Sequence, residues 1–474
     1  MNRGGTLNKK YQKFIDEVKE EIAEIEIMTQ KEEKLIYAHA TYPVEYKWIL
    51  QDDYKHLPSA VFSPNNEKEL SALLKKAYKE EISIIPYGGG SGIVGGSIAE
   101  NGEIIVDTKK LRNFKLNTVN NTAAAGAGLT GAEFENMLNE RGYTSGHYPQ
   151  SFQSAVFGGM AATNAIGTFS TKYGKMDDMV NSLRVVLPNG DILSTNKAPR
   201  RSAGPDLKYF FIGSEGVYGI ITEVEMKVYP LPEKRAFEAF TFPSTHDGLE
   251  AIRNFINLGI YPPVVRLYDE VESIPKIEAL GYEKGHCVLF LGYEGMEEIV
   301  ELERKKVRSV CESHGGKYKG EKGGNHWFEN RFSTKGMLDY DRNKGGTADA
   351  IEVAAPWDKI EGVWSAMREK LEPITDFVDC HFSHFYHTGA SVYVIFHAST
   401  EDDYQGEERY QKCLETAITA SVNNGGNVSH HHGIGKAKAP WMEEEHGKSG
   451  LYLLSQLKLA LDPNKLLNKG VLGL

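Results

Sequence analysis

The sequence predicts an α+β protein of two main domains that meet near Glu233. Three observations lead there. Through the first half, short apolar runs alternate with helical spacings, as in "LPSAVFSPNNEKELSALLKKAYKEE" followed by "ISIIPYGGG". Past "YPLPEKR" the texture changes to longer helices and widely separated strands such as "GHCVLFLGY" and "ASVYVIFHA". The length, 474 residues with 41% apolar content, gives ample core for two or three domains.

Taken in order, the chain starts with "MNRGGTLNKKYQKFIDEVKEE", which is polar and has no apolar signal core. Tyr11, Phe14, Ile15, Val18, Ile22 and Ile25 recur at helical spacing with acids between them, an amphipathic helix within an N-terminal segment 1–50. Its acidic polar face suits packing with a solvated outer side; membrane-surface helices carry Lys and Arg there. A strand, a helix opened by Pro64 and Asn65, and a second strand lead into a glycine loop. "GEIIVDTKKL" and "VVLPNGDIL" add strands, with Asn189 and Gly190 marking a hairpin turn. Pro230 and Pro232 end the strand "IITEVEMKV", which divides 51–233 from 234–474.

No apolar run approaches the roughly 20 residues of a membrane span, and "GVLGL" is no peroxisomal tripeptide, so the expected compartment is the cytoplasm. Cys287, Cys311, Cys380 and Cys413 lie far apart without a CxxC pair, which indicates buried thiols rather than a disulfide framework or a zinc finger. Lys plus Arg (54) against Asp plus Glu (65) gives a net charge of −11, which argues against nucleic acid as a partner.

The stretch "IIPYGGGSGIVGG" holds six glycines in thirteen positions and no charge. Glycine takes φ > 0 turns and lets successive N–H groups line one concave face, a shape that suits phosphate. Its spacing is neither a phosphate-binding loop ending in Lys and Ser/Thr nor a dinucleotide fingerprint. A surface hairpin or omega loop stays open as the bland reading. Two further glycine-bearing segments follow, "HYPQSFQSAVFGGMAATNAIGTFSTKYGKMDDMV" and "GPDLKYFFIGSEGVYGIITEVEMKVYPLPE". A ligand as long as a dinucleotide would need all three.

In their order, P-x-G-G-G-[ST]-G, then G-G with a nearby K-Y-G, then G-S-E-G-x-x-G-I-I-T, the chain resembles the FAD-binding PCMH-type family of vanillyl-alcohol oxidase, glycolate oxidase and alkyldihydroxyacetonephosphate synthase. The resemblance implies a two-subdomain FAD-binding domain followed by a cap domain with an antiparallel sheet flanked by helices. It implies that Pro86, Gly88, Gly89, Gly90, Ser91 and Gly92 cradle the FAD pyrophosphate. Pro149, Ser151, Ser154, Gly158, Gly159, Thr163, Asn164, Ala165 and Ile166 would line the isoalloxazine and ribityl chain. Glu215, Gly216, Gly219, Ile220 and Ile221 would hold the adenine end. With no histidine in or beside the loop, FAD is expected to be noncovalent. Tight strand packing is the bland alternative for Gly158, Gly159 and Gly213.

"NVSHHHGIGKAKAPW" contains His430, His431 and His432, and neighbours on an extended chain point to opposite sides, so one metal does not easily take all three. In the D-lactate and 2-hydroxyglutarate dehydrogenase branch, a glutamate stands where this chain has His431, and a histidine where it has Tyr393. Both metal-type ligands are replaced, and no metal is expected. The pattern resembles alkyldihydroxyacetonephosphate synthase, with its triple histidine and Gly-x-Gly-Lys, "RL-x-D", "APWD" and a tyrosine in "A-x-x-Y". That resemblance implies exchange of the acyl chain of acyl-dihydroxyacetone phosphate for a fatty alcohol through a flavin N5 adduct, as in ether-lipid synthesis. Tyr393 and the three histidines would carry protons. The competing expectation is oxidation of the CH–OH group of a 2-hydroxy acid such as D-lactate or glycolate.

One departure concerns the substrate's anion. The synthases carry an arginine where this chain has Leu338, and leucine cannot pair with phosphate or carboxylate. Arg266 and Arg342 are the expected anchors, with Arg331 also near. The expected partners are a small-molecule or lipid-like substrate and a second copy in a homodimer. Peripheral contact with a membrane stays open, because fatty alcohols dissolve in bilayers.

Overall fold

The computed structural model describes residues 9–22, 24–41, 43, 44, 48, 54, 56–333 and 343–474. Its first sheet holds β1 (Glu26–Met28), β2 (Val61–Ser63), β3 (Ile84–Tyr87) and β4 (Ile104–Asp107) in the order β1-β2-β4-β3. β2 and β3 both run parallel to β4, and the helix Glu67–Lys79 supplies the crossover that parallel strands require. That helix is capped by Asn66, whose side chain accepts from the amides of Lys68 and Glu69, one position later than the expected opening at Pro64 and Asn65. Phe14, Ile15 and Val18 of the helix Lys9–Glu21 pack with Phe62, Leu70 and Leu73, so the predicted apolar stripe is spent on core.

The second sheet is antiparallel. It draws on β5 (Phe114–Asn117), β6 (Thr122–Gly126), β8 (Val180–Val186), β9 (Ile192–Ser194) and β10 (Ile220–Lys227) in the order β5-β6-β10-β8-β9. β7 (Tyr143–Thr144) pairs separately with β11 (Tyr229–Pro230). The expected hairpin joins β8 to β9, with Gly190 at φ +88°.

Beyond the two prolines a larger antiparallel sheet begins. β12 (Lys234–Phe242), β13 (Val264–Tyr268), β14 (Cys287–Gly295), β15 (Lys317–Tyr318), β16 (Gly346–Pro356), β17 (Phe377–Phe385) and β18 (Gly389–Ser399) lie in the order β15-β12-β14-β13-β17-β18-β16. Alternation sorts its residues. Ile351, Val353, Val392, Val394 and Phe382 join one core with the helices Thr245–Asn257, Ile360–Leu371 and Asp403–Asn423. The other face turns polar at its centre. There Glu352, Tyr393 and His381 stand in register across β16, β18 and β17. All four cysteines are free and buried. Among the described residues, no helix is long and apolar enough to cross a membrane.

The end of the chain returns to the first half. Met442, Val471 and Leu472 pack in one core with Val224 and Met226 of β10. The amide of Ile84 donates to the Leu466 carbonyl (2.9 Å), and that of Asn468 donates to Ile84 (2.8 Å). Lys458, fully buried, donates to Asp462, Val217 and Leu467. A single linear segment 234–474 is thus not one packing unit: residues from about 442 onward complete the core of the first half.

Candidate functional site: a glycine-lined cleft facing a histidine cluster

The three glycine segments converge. A Cβ on Gly88 would strike Val156 Cγ2 at 2.6 Å, and one on Gly89 would come within 2.0 Å of the Ser154 carbonyl. Gly216, at φ +81°, lies so close to Pro86 that a Cβ would meet its ring at 2.8 Å. The amides of Glu215 and Gly213 donate to Ala162 and Ala161, tying the third segment to the second. Among the described residues, no protein acceptor takes the amides of Gly88, Gly89, Gly90, Ser91 or Gly92. A row of unpaired N–H groups beside open space at Gly92 fits an anionic cofactor segment.

The other predicted cradle residues fall into two groups. Pro149, Ser151 and Ser154 form a tight turn, with Phe152 donating to Pro149 and Ser154 to Ser151, directly under the glycine loop. Gly159 has only Val156 Cγ2 within reach, 3.8 Å from a would-be Cβ, and Thr163 caps the same short helix through its hydroxyl to Gly159. Asn164, at φ +50°, accepts from the Asp177 amide, while Ala165 accepts from Met176 and Ile166 bridges to Lys175. Gly158 packs against Ala127 as the tight-packing alternative has it, and Gly219 packs in the same way against Val185. Ile220 and Ile221 pair with Val186 and Val185 inside the second sheet and sit in its cores. Glu215 is buried, accepting from the amides of Ile434 and Gly435. Its side chain joins the third glycine segment to the turn that follows the histidines.

Next to the second segment, in contact with Lys175 and Ser170, stands the polar centre of the large sheet. Glu352 is fully buried, and its Oε1 accepts from Ser429 Oγ and the amides of His431 and His432. Its Oε2 takes Lys438 Nζ at 2.8 Å and His432 Nδ1 at 2.9 Å. Burial opposes the charge, but His432 and Lys438 outweigh it and hold this carboxyl well below the usual range. His432 Nε2 lies 3.3 Å from Tyr393 Oη. Burial and the facing Glu352 push the Tyr393 phenol upward, so it stays protonated.

His430 and His431 lie beside this row. Tyr386 Oη is 2.9 Å from His430 Nε2, and His430 Nδ1 is 2.8 Å from His431 Nδ1. Burial lowers His430 to about 3 and His431 well below its ordinary value, with Lys175 and His432 respectively as the next causes. Lys175 Nζ donates to the His430 carbonyl at 2.7 Å. His384 occupies a bulge in β17 at φ +55°, which turns its ring toward His430 and His431 and places Nδ1 2.6 Å from Ser170 Oγ. Among the described residues, no three acidic, histidine or cysteine side chains are placed to hold a metal ion.

Arg266 extends from β13 on the same face. Its Nη2 donates to His381 Nε2 at 2.7 Å, while Glu272 accepts from His381 Nδ1 at 2.8 Å. No carboxylate of the described residues lies within ion-pair distance of Arg266. Arg342 and Leu338 lie outside the described residues. Arg331 is at the end of the helix Lys322–Asn330, stacked on Phe328 and Phe332.

The sequence reading missed Glu352, His381, His384, Tyr386 and Lys438. Two signals were available: "DAIEVAAP" places two acids, Asp349 and Glu352, within an apolar strand, and "CHFSHFYHTG" holds three histidines within seven residues.

Two family models match the chain: a FAD binding domain over residues 58–196, and the C-terminal domain of FAD linked oxidases over residues 231–472. Alkyldihydroxyacetonephosphate synthase of Caenorhabditis elegans is 29% identical over 86% of this chain and 74% of its own. The uncharacterised FAD-linked oxidoreductase YgcU of Escherichia coli is 30% identical, covering 88% and 89%. Mitochondrial D-lactate dehydrogenase (cytochrome) of Arabidopsis thaliana is 27% identical, covering 88% and 74%. Among solved structures, an alkyldihydroxyacetonephosphate synthase superposes with TM-score 0.82 at 23% identity, covering 98% of this chain and 87% of that one. Substrate-bound p-cresol methylhydroxylase gives TM-score 0.80 at 16%, covering 99% and 98%.

Proposed function

The chain belongs to the FAD-linked oxidase family, with FAD as its cofactor, and from that premise we propose an enzyme that exchanges the acyl chain of acyl-dihydroxyacetone phosphate for a fatty alcohol. The observation that carries this reading is the row Tyr393, His432 and Glu352 facing the glycine-lined cleft. Bound FAD would supply an electrophilic, electron-accepting ring at the carbon being exchanged.

The residues of the chain would manage protons and charge. Glu352, kept as a carboxylate, holds the proton of His432 on Nδ1 and leaves Nε2 as a lone pair toward Tyr393. When the Tyr393 phenol takes a proton from a substrate atom, its own proton passes to His432, and Glu352 stabilises the imidazolium that results. The exchange breaks the carbon–oxygen bond to the acyl group, forms the ether bond, and releases a carboxylate and one proton. Arg266, with no carboxylate of the described residues within ion-pair distance, would hold the substrate phosphate.

A second reading, oxidation of a 2-hydroxy acid, is favoured by the likeness to D-lactate dehydrogenase. The same tyrosine and histidine would take the hydroxyl proton. The two separate cleanly. Incubation with acyl-dihydroxyacetone phosphate and a labelled fatty alcohol should give labelled ether product with the flavin spectrum restored at the end. Rapid anaerobic bleaching of the flavin by D-lactate or glycolate, without ether product, selects the second reading.

A further inference from the structure

We propose that Tyr386, His430 and His431 form a second proton path, separate from the Tyr393 row, that connects solvent at Tyr386 to the interior of the site at His431. Tyr386 sits in the tight turn between β17 and β18, next to the exposed His387 and Thr388, and is itself partly exposed. At the other end, the His431 ring stacks on Tyr393 with centroids 5.9 Å apart. Between them run two contacts, 2.9 Å from Tyr386 Oη to His430 Nε2 and 2.8 Å from His430 Nδ1 to His431 Nδ1.

The second contact fixes the chemistry. Two imidazole nitrogens this close share one proton, so one ring donates and the other accepts. This leaves two neutral arrangements. In the first, Tyr386 donates to His430 Nε2, His430 donates from Nδ1 to His431, and His431 carries its proton on Nε2. In the second, His431 donates from Nδ1 to His430, His430 donates from Nε2 to Tyr386, and His431 Nε2 is a bare lone pair. Passing from first to second, His431 releases its Nε2 proton into the site. The Nδ1 proton of His430 moves to His431, the Tyr386 proton moves to His430 Nε2, and Tyr386 takes a fresh proton from water. One proton enters, one leaves, and all three groups end neutral.

The surroundings favour that neutral exchange. Burial disfavours either imidazolium. Lys175 Nζ fixes the His430 carbonyl, and His384, held by Ser170, stacks on the His430 ring and lies edge-on to that of His431. The Tyr393 row cannot serve the same purpose, because Glu352 pins the His432 Nδ1 proton in one direction.

The role of this path in turnover rests on the proposed function; the path itself does not. Histidine-labelled (15N), deuterated, FAD-loaded protein should show one proton shared by His430 Nδ1 and His431 Nδ1. Tyr386→Phe should slow its exchange with D2O at least 10-fold while both ring signals stay in place. An unchanged exchange rate overturns the path. In the ether-forming assay, Tyr386→Phe should lose about 10-fold in turnover, and added imidazole should restore it; a loss that imidazole leaves untouched overturns the role in turnover and marks Tyr386 as a packing residue. A wild-type protein that makes no ether product yet shows Tyr386-dependent exchange would sink the proposed function and leave the path standing.

Discussion

Glu352 lies directly opposite Tyr393 in the β16 to β18 ladder, and His432, from a distant turn, spans the pair at 2.9 Å and 3.3 Å. Cross-strand neighbours on one sheet face have Cβ atoms about 5 Å apart, and here the polar ends of the pair are joined through the His432 imidazole. Tyr393→Phe keeps the ring and removes the hydroxyl, so turnover should fall by about 10²-fold with FAD content unchanged. Wild-type rates in that variant would reduce Tyr393 to packing.

Glu352→Gln leaves Lys438 and the amide donors around an uncharged group in a fully buried setting. Removing one partner of a buried pair costs about 3–5 kcal/mol. Urea unfolding at pH 7 should show a loss of that order. The lowered carboxyl contributes stability above its ordinary value of 4.5 and loses it as pH falls through its folded value, so the gap between variant and wild type should persist from pH 8 down past 4.5. A gap that vanishes already at pH 6 would contradict the ion pair.

His381 and His430 titrate at about 4 and about 3, pushed down by burial, and His384 and His431 shift the same way. The unfolded chain binds protons at these rings near pH 6.5, the folded chain far lower. Stability is therefore full above about pH 6.5 and falls as pH drops toward 4, by up to about 1.4 kcal/mol per pH unit for each ring. Unfolding midpoints measured from pH 7 to 5 should decline steeply, and His430→Asn should flatten the decline by one proton's worth.

Purified protein should be yellow, and acid precipitation should release all its FAD into the supernatant. Gly89→Glu should prevent flavin uptake, since even a Cβ there meets the Ser154 carbonyl at 2.0 Å. Gly92→Ala meets no atom of the described residues within 4 Å beyond its chain neighbours, so loss of flavin in that variant reports contact with the cofactor itself.

Arg266→Met should raise half-saturation by an anionic substrate about 10²-fold, the loss of one charge-assisted contact. Arg342→Met, tested in parallel, decides between the two anchors drawn from the sequence. No change in either variant would point to a neutral alcohol as substrate and sink the transferase reading.

How far the sequence could be read depended on the range of the interaction. The glycine loop announced itself, because free amides and missing Cβ atoms are properties of consecutive residues. So did the three histidines and Tyr393, through local patterns. Glu352 comes opposite Tyr393, and Arg266 reaches His381, only through the pairing of strands that are far apart in the chain. His384 needed a bulge that no spacing rule predicts. For Ile220 and Ile221 the motif did not say that their side chains enter the cores of the first half, because a short motif does not fix which side of a strand is buried.

The return of the chain's end to the first sheet has a consequence for synthesis on the ribosome. β3 leads straight into the glycine loop, yet its edge at Ile84 is completed only by residues 466–468, nearly four hundred positions later. The flavin-binding half therefore waits, with one strand edge open, until almost the whole chain has emerged. Translation pauses in the second half prolong that exposure, and an excised fragment 51–233 would carry it permanently.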